Sequence, residues 1–412
     1  MSSSNKNNFF IILILGALST VTPFAIDMYL PAFPQIASDL GTTAPKVAFS
    51  LSSYLVGMAI GQIFYGPLLD RFGRKPPLYF GLLLFVAASI GCIFSGSVES
   101  FIVFRFLQAL GGCAAQVAAV AMVRDFFPAE ERTKVFSLLV LILGASPLLA
   151  PTVGSFVAVS FGWQWVFIIL AAIVALLLAV VFSFLPEGHA PDESVSLKLK
   201  PILSNFAAIL KEPQFYTYGL AGAFSFGCLL VYVAASPIIF MDGFKVDAQT
   251  FGGIFALLSI GVIGGSQVNL LLSRRFRSER IFQIALVSQC IVSVLFLAGT
   301  ITGSLGLAAT IILFFALLSS IGILSPNATA LALAPFGKNA GSASALIGFL
   351  QIGIGALASS GVGLFNSGSN LPAVSILAGM GLLALLILTA GKRTIVHKTK
   401  DEELDAAITA AH

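Results

Sequence analysis

Asp27 is the only carboxylate within a membrane-length apolar stretch of this 412-residue chain, the run FFIILILGALSTVTPFAIDMYL from Phe9 to Leu30. Roughly 20 apolar residues cross a hydrocarbon core. A carboxylate among them costs at least about 3 kcal/mol, so a partner or a task keeps it there. The task open to a lone carboxyl group is reversible proton binding; the alternative is an acid that snorkels to the nearby helix end. Arg105 is the only cation inside such a stretch. It stands four residues into its apolar run, as Asp27 stands four residues before Pro31, so at about 1.5 Å per residue both lie roughly 6 Å below the helix ends. Two opposite charges at one depth are expected to pair, either as proton-coupling machinery or as a structural brace between two helices.

Other residues gather around this pair. Gln108, Gly112 and Gln116 follow Arg105 at i+3, i+7 and i+11, a polar and small stripe on one helix face that fits a hydrated cavity or close helix packing. Pro23 and Pro31 flank Asp27 and free carbonyls of the preceding turn, which membrane helices tolerate where protein or water satisfies them again. The run GPLLDRFGRKP from Gly66 to Pro76 puts Gly66, Asp70, Arg71, Gly73 and Arg74 in one short basic turn. Its glycines permit a tight bend, and Asp70 can accept from amides at a helix start or pair with an Arg, making a latch that breaks and reforms. Tyr54, Gln116, Phe224, Tyr232, Asn327 and Gln351 are polar or aromatic residues in apolar surroundings. They are candidates for contacting a small amphipathic substrate, with helix–helix hydrogen bonding the alternative for each.

The elements that must hold these residues are long helices. With 58% hydrophobic and 10% charged residues and a mean hydropathy of +0.99, the chain reads as an all-α polytopic membrane protein. A β-barrel would instead alternate apolar and polar residues in short segments. Spanning-length runs fall near 9–31, 48–69, 77–96, 101–123, 135–158 and 164–185, then near 214–240, 251–272, 281–301, 306–334, 341–364 and 372–391. The predicted organisation is a six-helix bundle over 1–185 carrying proton coupling, a linker over 186–212, a second bundle over 213–391 and a tail over 392–412. The first run is too long for a signal-peptide core and lacks a clear cleavage site, so it is read as helix 1. Within the linker, LKPILSNFAAIL reads as an amphipathic helix lying on the membrane.

Charge fixes the orientation. With twelve spans, 19 of the 22 Lys and Arg residues fall on the side that holds both tails, and only Lys46 and Lys245 on the other. That bias places both termini and the linker in the cytoplasm. A net charge of +4 confined to loops and tails gives no indication of nucleic-acid binding. Cys92, Cys113, Cys228 and Cys290 lie in apolar runs without metal-like spacing and read as core residues. No P-loop is present, so transport is not directly ATP-driven; no cofactor or metal is expected, nor enzymatic activity. His189, His397 and His412 fall in the linker and tail, outside any proton path. The halves also echo each other: LLDRFGRK (68–75) answers LLSRRFRSER (271–280), and Pro31 answers Pro237. Val233 then stands where the first half has Asp27, so the second copy lacks the acid.

The full Gly66–Lys75 pattern, G-x-x-x-D-R-x-G-R-K, closely resembles the signature loop of the major facilitator superfamily, and the resemblance extends over all twelve spans. RFLQALGG (105–112) is similar to the superfamily's proton-linked fourth-helix motif, departing from it at Ala109. GASPLLAPTVG (144–154) is similar to its antiporter motif, with Ala150 in place of Gly. With PFAIDMYLPAFPQIA (23–37), these runs resemble the Bcr/CflA drug:proton antiporters. The resemblance implies Asp27 as protonation site, Arg105 as its partner, and Gly144, Pro147, Pro151 and Gly154 as a hinge favouring antiport over leak. It further implies a latch of Asp70 and Arg74 with Asp125 and the start of helix 11 near Gly341. The expectation is a monomeric proton-coupled multidrug efflux antiporter of the bacterial inner membrane, partnered by the bilayer, protons and amphipathic drugs. A proton-linked uptake symporter for a small metabolite is the alternative.

Overall fold

The computed structural model describes residues 3–188, 190–193, 197, 199–336, 340–364 and 370–395. His189, His397, His412 and Lys338 lie outside the described residues. Twelve helices among them are long and apolar enough to cross a membrane. Spans 1 to 6 are Phe9–Asp39, Ala44–Arg71, Lys75–Ile93, Val98–Phe126, Lys134–Phe161 and Gln164–Phe184. Spans 7 to 12 are Pro213–Gly243, Ala248–Leu272, Ser278–Ile301, Leu307–Leu333, Gly341–Gly363 and Leu371–Thr394. All twelve sequence-predicted spans are found, most displaced by a few residues at their ends and the first running eight residues further, to Asp39. The predicted amphipathic segment is a helix over Leu199–Leu210 that packs on span 11 and the start of span 7 and buries Phe206 and Ile209.

Local chemistry sets where the spans begin and break. Span 4 starts with a reciprocal capping box between Ser97 and Ser100, which satisfies two end amides. Span 8 starts at Asp247, whose carboxylate accepts from the amides of Gln249 and Thr250 at 2.9 and 3.0 Å. Hydrogen bonds from the Thr250 hydroxyl and these amides hold the Asp247 carboxyl below the usual carboxylate range. The turn between spans 2 and 3 bends at Gly73, whose φ of +82° suits a residue without Cβ.

Span 1 does not run through. Its α-helix ends at Asp27, passes a 3-10 turn over Leu30–Ala32 and resumes at Phe33. Pro31 explains the stop: it has no N–H to offer the carbonyl four residues back, which is that of Asp27, and its ring crowds the same carbonyl. The sequence anticipated a kink here, and the structure makes it a break in the helix immediately after the acid.

Span 2 packs along span 11 and span 5 along span 8, so two seams join spans 1–6 to spans 7–12. Most basic residues of the loops lie at one end, called here the basic face, and Lys46 and Lys245 at the other. Towards the opposite face a single buried core runs across both sets of six, from Tyr29, Leu30 and Phe33 through Tyr232, Phe251 and Phe314 to Val362. Nearer the basic face, spans 7 and 9–12 bury their own separate core, against which only Ile63 of spans 1–6 packs among the described residues. The two sets are therefore fused at one end and separately cored at the other.

Candidate functional site

Asp27 is 6% exposed and Arg105 fully buried. The predicted ion pair is not formed: neither residue takes part in a salt bridge among the described residues, and Asp27 has no hydrogen-bond partner there. Arg105 is held otherwise through its two terminal nitrogens, while its buried Nε has no partner among the described residues. Its Nη2 donates to the Ala25 carbonyl at 2.9 Å and its Nη1 to Gln108 Oε1. Gln108 in turn donates to Ser89 Oγ at 2.7 Å. The guanidinium carbon lies 4.1 Å from the ring centre of Tyr29, 4.4 Å from Tyr54 and 5.7 Å from Phe167. Aromatic faces attract a cation by their quadrupole and replace part of its lost hydration. The break explains the first bond: the last helical bond before it runs from Met28 N to Phe24 O, and Ala25 O beside it receives the guanidinium. Arg105 is thus housed without Asp27, and Asp27 is buried without a counter-charge. Its charge can be offset in two ways, by binding a proton or by drawing Arg105 out of its cage.

The polar stripe below Arg105 is packed at its upper two positions. Gln108 and Gly112 are buried, and Gln116 is half-buried with its Oε1 unpartnered among the described residues.

The antiporter-like run of span 5 meets both span 1 and span 8. Ser259 Oγ approaches the Pro147 carbonyl at 3.5 Å, and a Cβ placed on Gly252 would lie 3.4 Å from the Pro151 carbonyl. Gly144 faces Ile263 of the same span 8. Gly154 abuts the break itself, because a Cβ there would overlap the Met28 carbonyl oxygen and carbon. Those are backbone atoms and cannot swing aside. Gly154→Ala is expected to cost about 1–3 kcal/mol through overpacking and to displace the turn that carries Asp27. Melting temperature and initial transport rate, measured together, check this.

At the basic face Arg74 pairs with both Asp70 and Asp125, two of the contacts expected there. Arg74 Nε donates to Asp125 Oδ2 at 2.7 Å and Nη1 to Asp70 Oδ1 at 2.6 Å. Burial by itself would lower the Arg74 pKa, but these two carboxylates outweigh it and hold the guanidinium above its ordinary value. Asp125 is the stronger partner, since its side chain is 12% exposed against 51% for Asp70. Asp125→Asn is accordingly expected to cost about 1–3 kcal/mol and Asp70→Asn less than about 1 kcal/mol, read as melting temperatures of the purified protein. At Gly341, in the first turn of span 11, a Cβ would meet Arg124 Nη1 at 3.9 Å rather than Asp70. Gly66 has open space around it.

Sequence reasoning missed Glu187. Its carboxylate accepts from the Arg74 and Lys75 amides at 2.6 and 3.2 Å, the place an anion takes at a helix N-terminus. Asp192 N to Asp70 O (3.1 Å) and Arg71 Nη1 to Glu193 O (3.3 Å) extend the contact. The available signal was that Glu187 is the first acid after span 6, at the same face as the turn.

A cavity of about 500 Å³ opens among spans 7, 8 and 10, lined by Phe226, Leu229, Val262, Ser266, Ser325 and Thr329 among others. None of the six residues picked from the sequence lines it. Tyr54 cages Arg105, Tyr232 stacks on Phe255 and Phe314, and Asn327 donates to Asn269 Oδ1 at 2.6 Å. Phe224 packs between the two cores, while Gln116 and Gln351 are half-buried. Asn327 bonds a neighbouring helix, as polar side chains in membrane spans do, and the two tyrosines pack by their rings with their hydroxyls unpartnered among the described residues, so polarity was a poor guide to the cavity.

Twelve spans in two sets of six, with a buried carboxyl and a caged guanidinium where the sets share a core, define a polytopic membrane transporter. The family model described as Major Facilitator Superfamily matches residues 15–360, and the chain belongs to that superfamily. It is 33% identical to the bicyclomycin resistance protein homolog of Haemophilus influenzae, over 86% of this chain and 89% of that one. With the multidrug resistance protein MdtL of Escherichia fergusonii it shares 30% identity, over 93% and 96%. A crystal structure of a D-xylose-proton symporter superposes with a TM-score of 0.74 at 17% identity, covering 92% of this chain and 97% of that one. The resemblance read from the motifs is borne out.

Proposed function

We propose that this protein exports small amphipathic, drug-like compounds across the bacterial inner membrane in exchange for inward protons. In this reading the basic face and both termini are cytoplasmic, the halves are 1–185 and 213–391 joined by the linker 186–212, and a monomer is the working unit. The observation that carries it is Asp27: buried, without a counter-ion, and placed at the helix break beside a caged Arg105. The names of the relatives supply the substrate class. With the opposite face open, Asp27 binds a proton from outside and drug leaves. The halves then rock about the shared core. With the basic face open, drug enters the 500 Å³ cavity and the proton is released inward.

Inverted membrane vesicles test this with a broad panel of antibiotics. An acid-inside gradient is expected to drive accumulation of at least one compound, and a protonophore to discharge it. Accumulation that survives the protonophore contradicts proton coupling.

A further inference from the structure

The turn between spans 8 and 9 (271–280) repeats the turn between spans 2 and 3 with its acids removed. In the first copy the chain supplies the anions: Asp70 and Asp125 hold Arg74, and Glu187 accepts from the amides that open span 3. In the second copy Ser273 stands where Asp70 stands, LLSR against LLDR. Span 10, the counterpart of span 4, carries no acid, and the end of span 12 has Lys392 and Arg393 where span 6 is followed by Glu187. No side chain among the described residues caps the start of span 9. Between Asp247 and Asp401 the only acid in the sequence is Glu279, and its charge reaches Lys392.

The cations of this turn are held outward. The amides of Arg274, Arg275 and Phe276 donate to the Leu271 and Leu272 carbonyls at 3.4, 3.0 and 2.9 Å and close the turn. Arg274, Arg275 and Arg280 are exposed, and none of the three shares a salt bridge among the described residues. Arg280 lies 5.7 Å from the ring centre of Phe276. Leu270, Leu271 and Phe276 are exposed beside them, an apolar and aromatic edge of the kind that sits at a bilayer surface. Span 12 packs along span 9 and ends where span 9 begins, so exposed Lys392 and Arg393 join the same patch. Guanidinium groups bind phosphate through two parallel hydrogen bonds, and cations clustered at a helix end attract anionic headgroups. We infer that an anionic phospholipid of the leaflet at the basic face docks on Arg274, Arg275 and Arg280. It supplies to the second turn the anion that the first draws from Asp70, Asp125 and Glu187. The headgroup phosphate meets the guanidinium groups, and the acyl chains lie along Leu271 and Phe276. A net-negative lipid fits better than a zwitterionic one, because the patch sets Glu279 alone against its cations. The inference is independent of proton coupling and of the direction of transport.

The purified protein in a neutral detergent, titrated with phosphatidylglycerol and read by native mass spectrometry and melting temperature, tests this. The wild type is expected to bind phosphatidylglycerol in preference to phosphatidylcholine and to melt higher with it. Arg274→Gln/Arg275→Gln is expected to weaken that binding roughly tenfold or more, at about fivefold per cation. The charge-matched pair Arg124→Gln/Lys134→Gln, at the same face of the first half, is expected to keep it. Equal weakening by the two pairs overturns the inference, since the general positive field of the face would then suffice. So does an equal gain in melting temperature from inorganic phosphate, which would make the patch a site for a soluble anion. A lower melting temperature of Arg274→Gln/Arg275→Gln before any lipid is added also overturns it, because a carboxylate of the chain itself would then occupy the patch.

Discussion

Asp27→Asn is expected to reduce gradient-driven export in proteoliposomes to the level of protein-free vesicles while leaving the protein folded. The amide is close in size to the carboxyl group and carries neither its charge nor its titration, so only the coupling step is removed. The melting temperature separates two views of the site. Were Arg105 the counter-ion, removing Asp27's charge would strand a buried guanidinium, at a cost of about 3–5 kcal/mol. Here Arg105 is held by the Ala25 carbonyl, by Gln108 and by three aromatic faces. Asp27→Asn is therefore expected to melt with the wild type. A drop of many degrees would show that the ion pair dominates in solution.

Arg105→Ala is expected to do the reverse and damage stability as well as transport. It leaves the Ala25 carbonyl and Gln108 Oε1 without their donor, at about 1–3 kcal/mol for each buried group, and forfeits about 0.5–2 kcal/mol of cation–π attraction. The same carbonyl belongs to the turn that positions Asp27, so export is expected to fall along with the melting temperature. Arg105→Lys restores the charge but not the planar fork that donates in two directions while lying against Tyr29 and Tyr54. It is expected to recover only part of the lost stability and little of the transport. Full rescue by Lys would mean that a point charge suffices and that the cage is incidental.

The helices were legible because spanning length and apolar composition are set by the bilayer and leave few alternatives. The latch was legible in part: Asp70, Arg74 and Asp125 share one face on topology alone. Glu187 was not, because its partners are backbone amides that carry no residue signature. The Asp27–Arg105 pairing was inferred from equal depth, and Arg105 does lie against span 1, at Ala25, two residues before Asp27. What sequence could not supply was azimuth. The break at Pro31 exposes a carbonyl to Arg105, and three rings from spans 1, 2 and 6 converge on it, an arrangement that only packing discloses. The cavity was missed for a related reason. Its hydroxyls, Ser266, Ser325 and Thr329, are residue types common in helix packing, whereas the more conspicuous Tyr54 and Tyr232 pack by their rings elsewhere and Asn327 bonds Asn269.

The sign of proton movement on adding drug tests the central claim most directly. Inverted vesicles with the basic face outward, held at equal pH on both sides and carrying a pH dye in the lumen, receive a compound that the protein transports. Exchange requires protons to leave as drug enters, so the lumen is expected to become more alkaline, and Asp27→Asn is expected to abolish the signal. Acidification of the lumen would mean that drug and proton travel together, and an unchanged lumen pH during drug entry would mean no coupling; either result contradicts antiport.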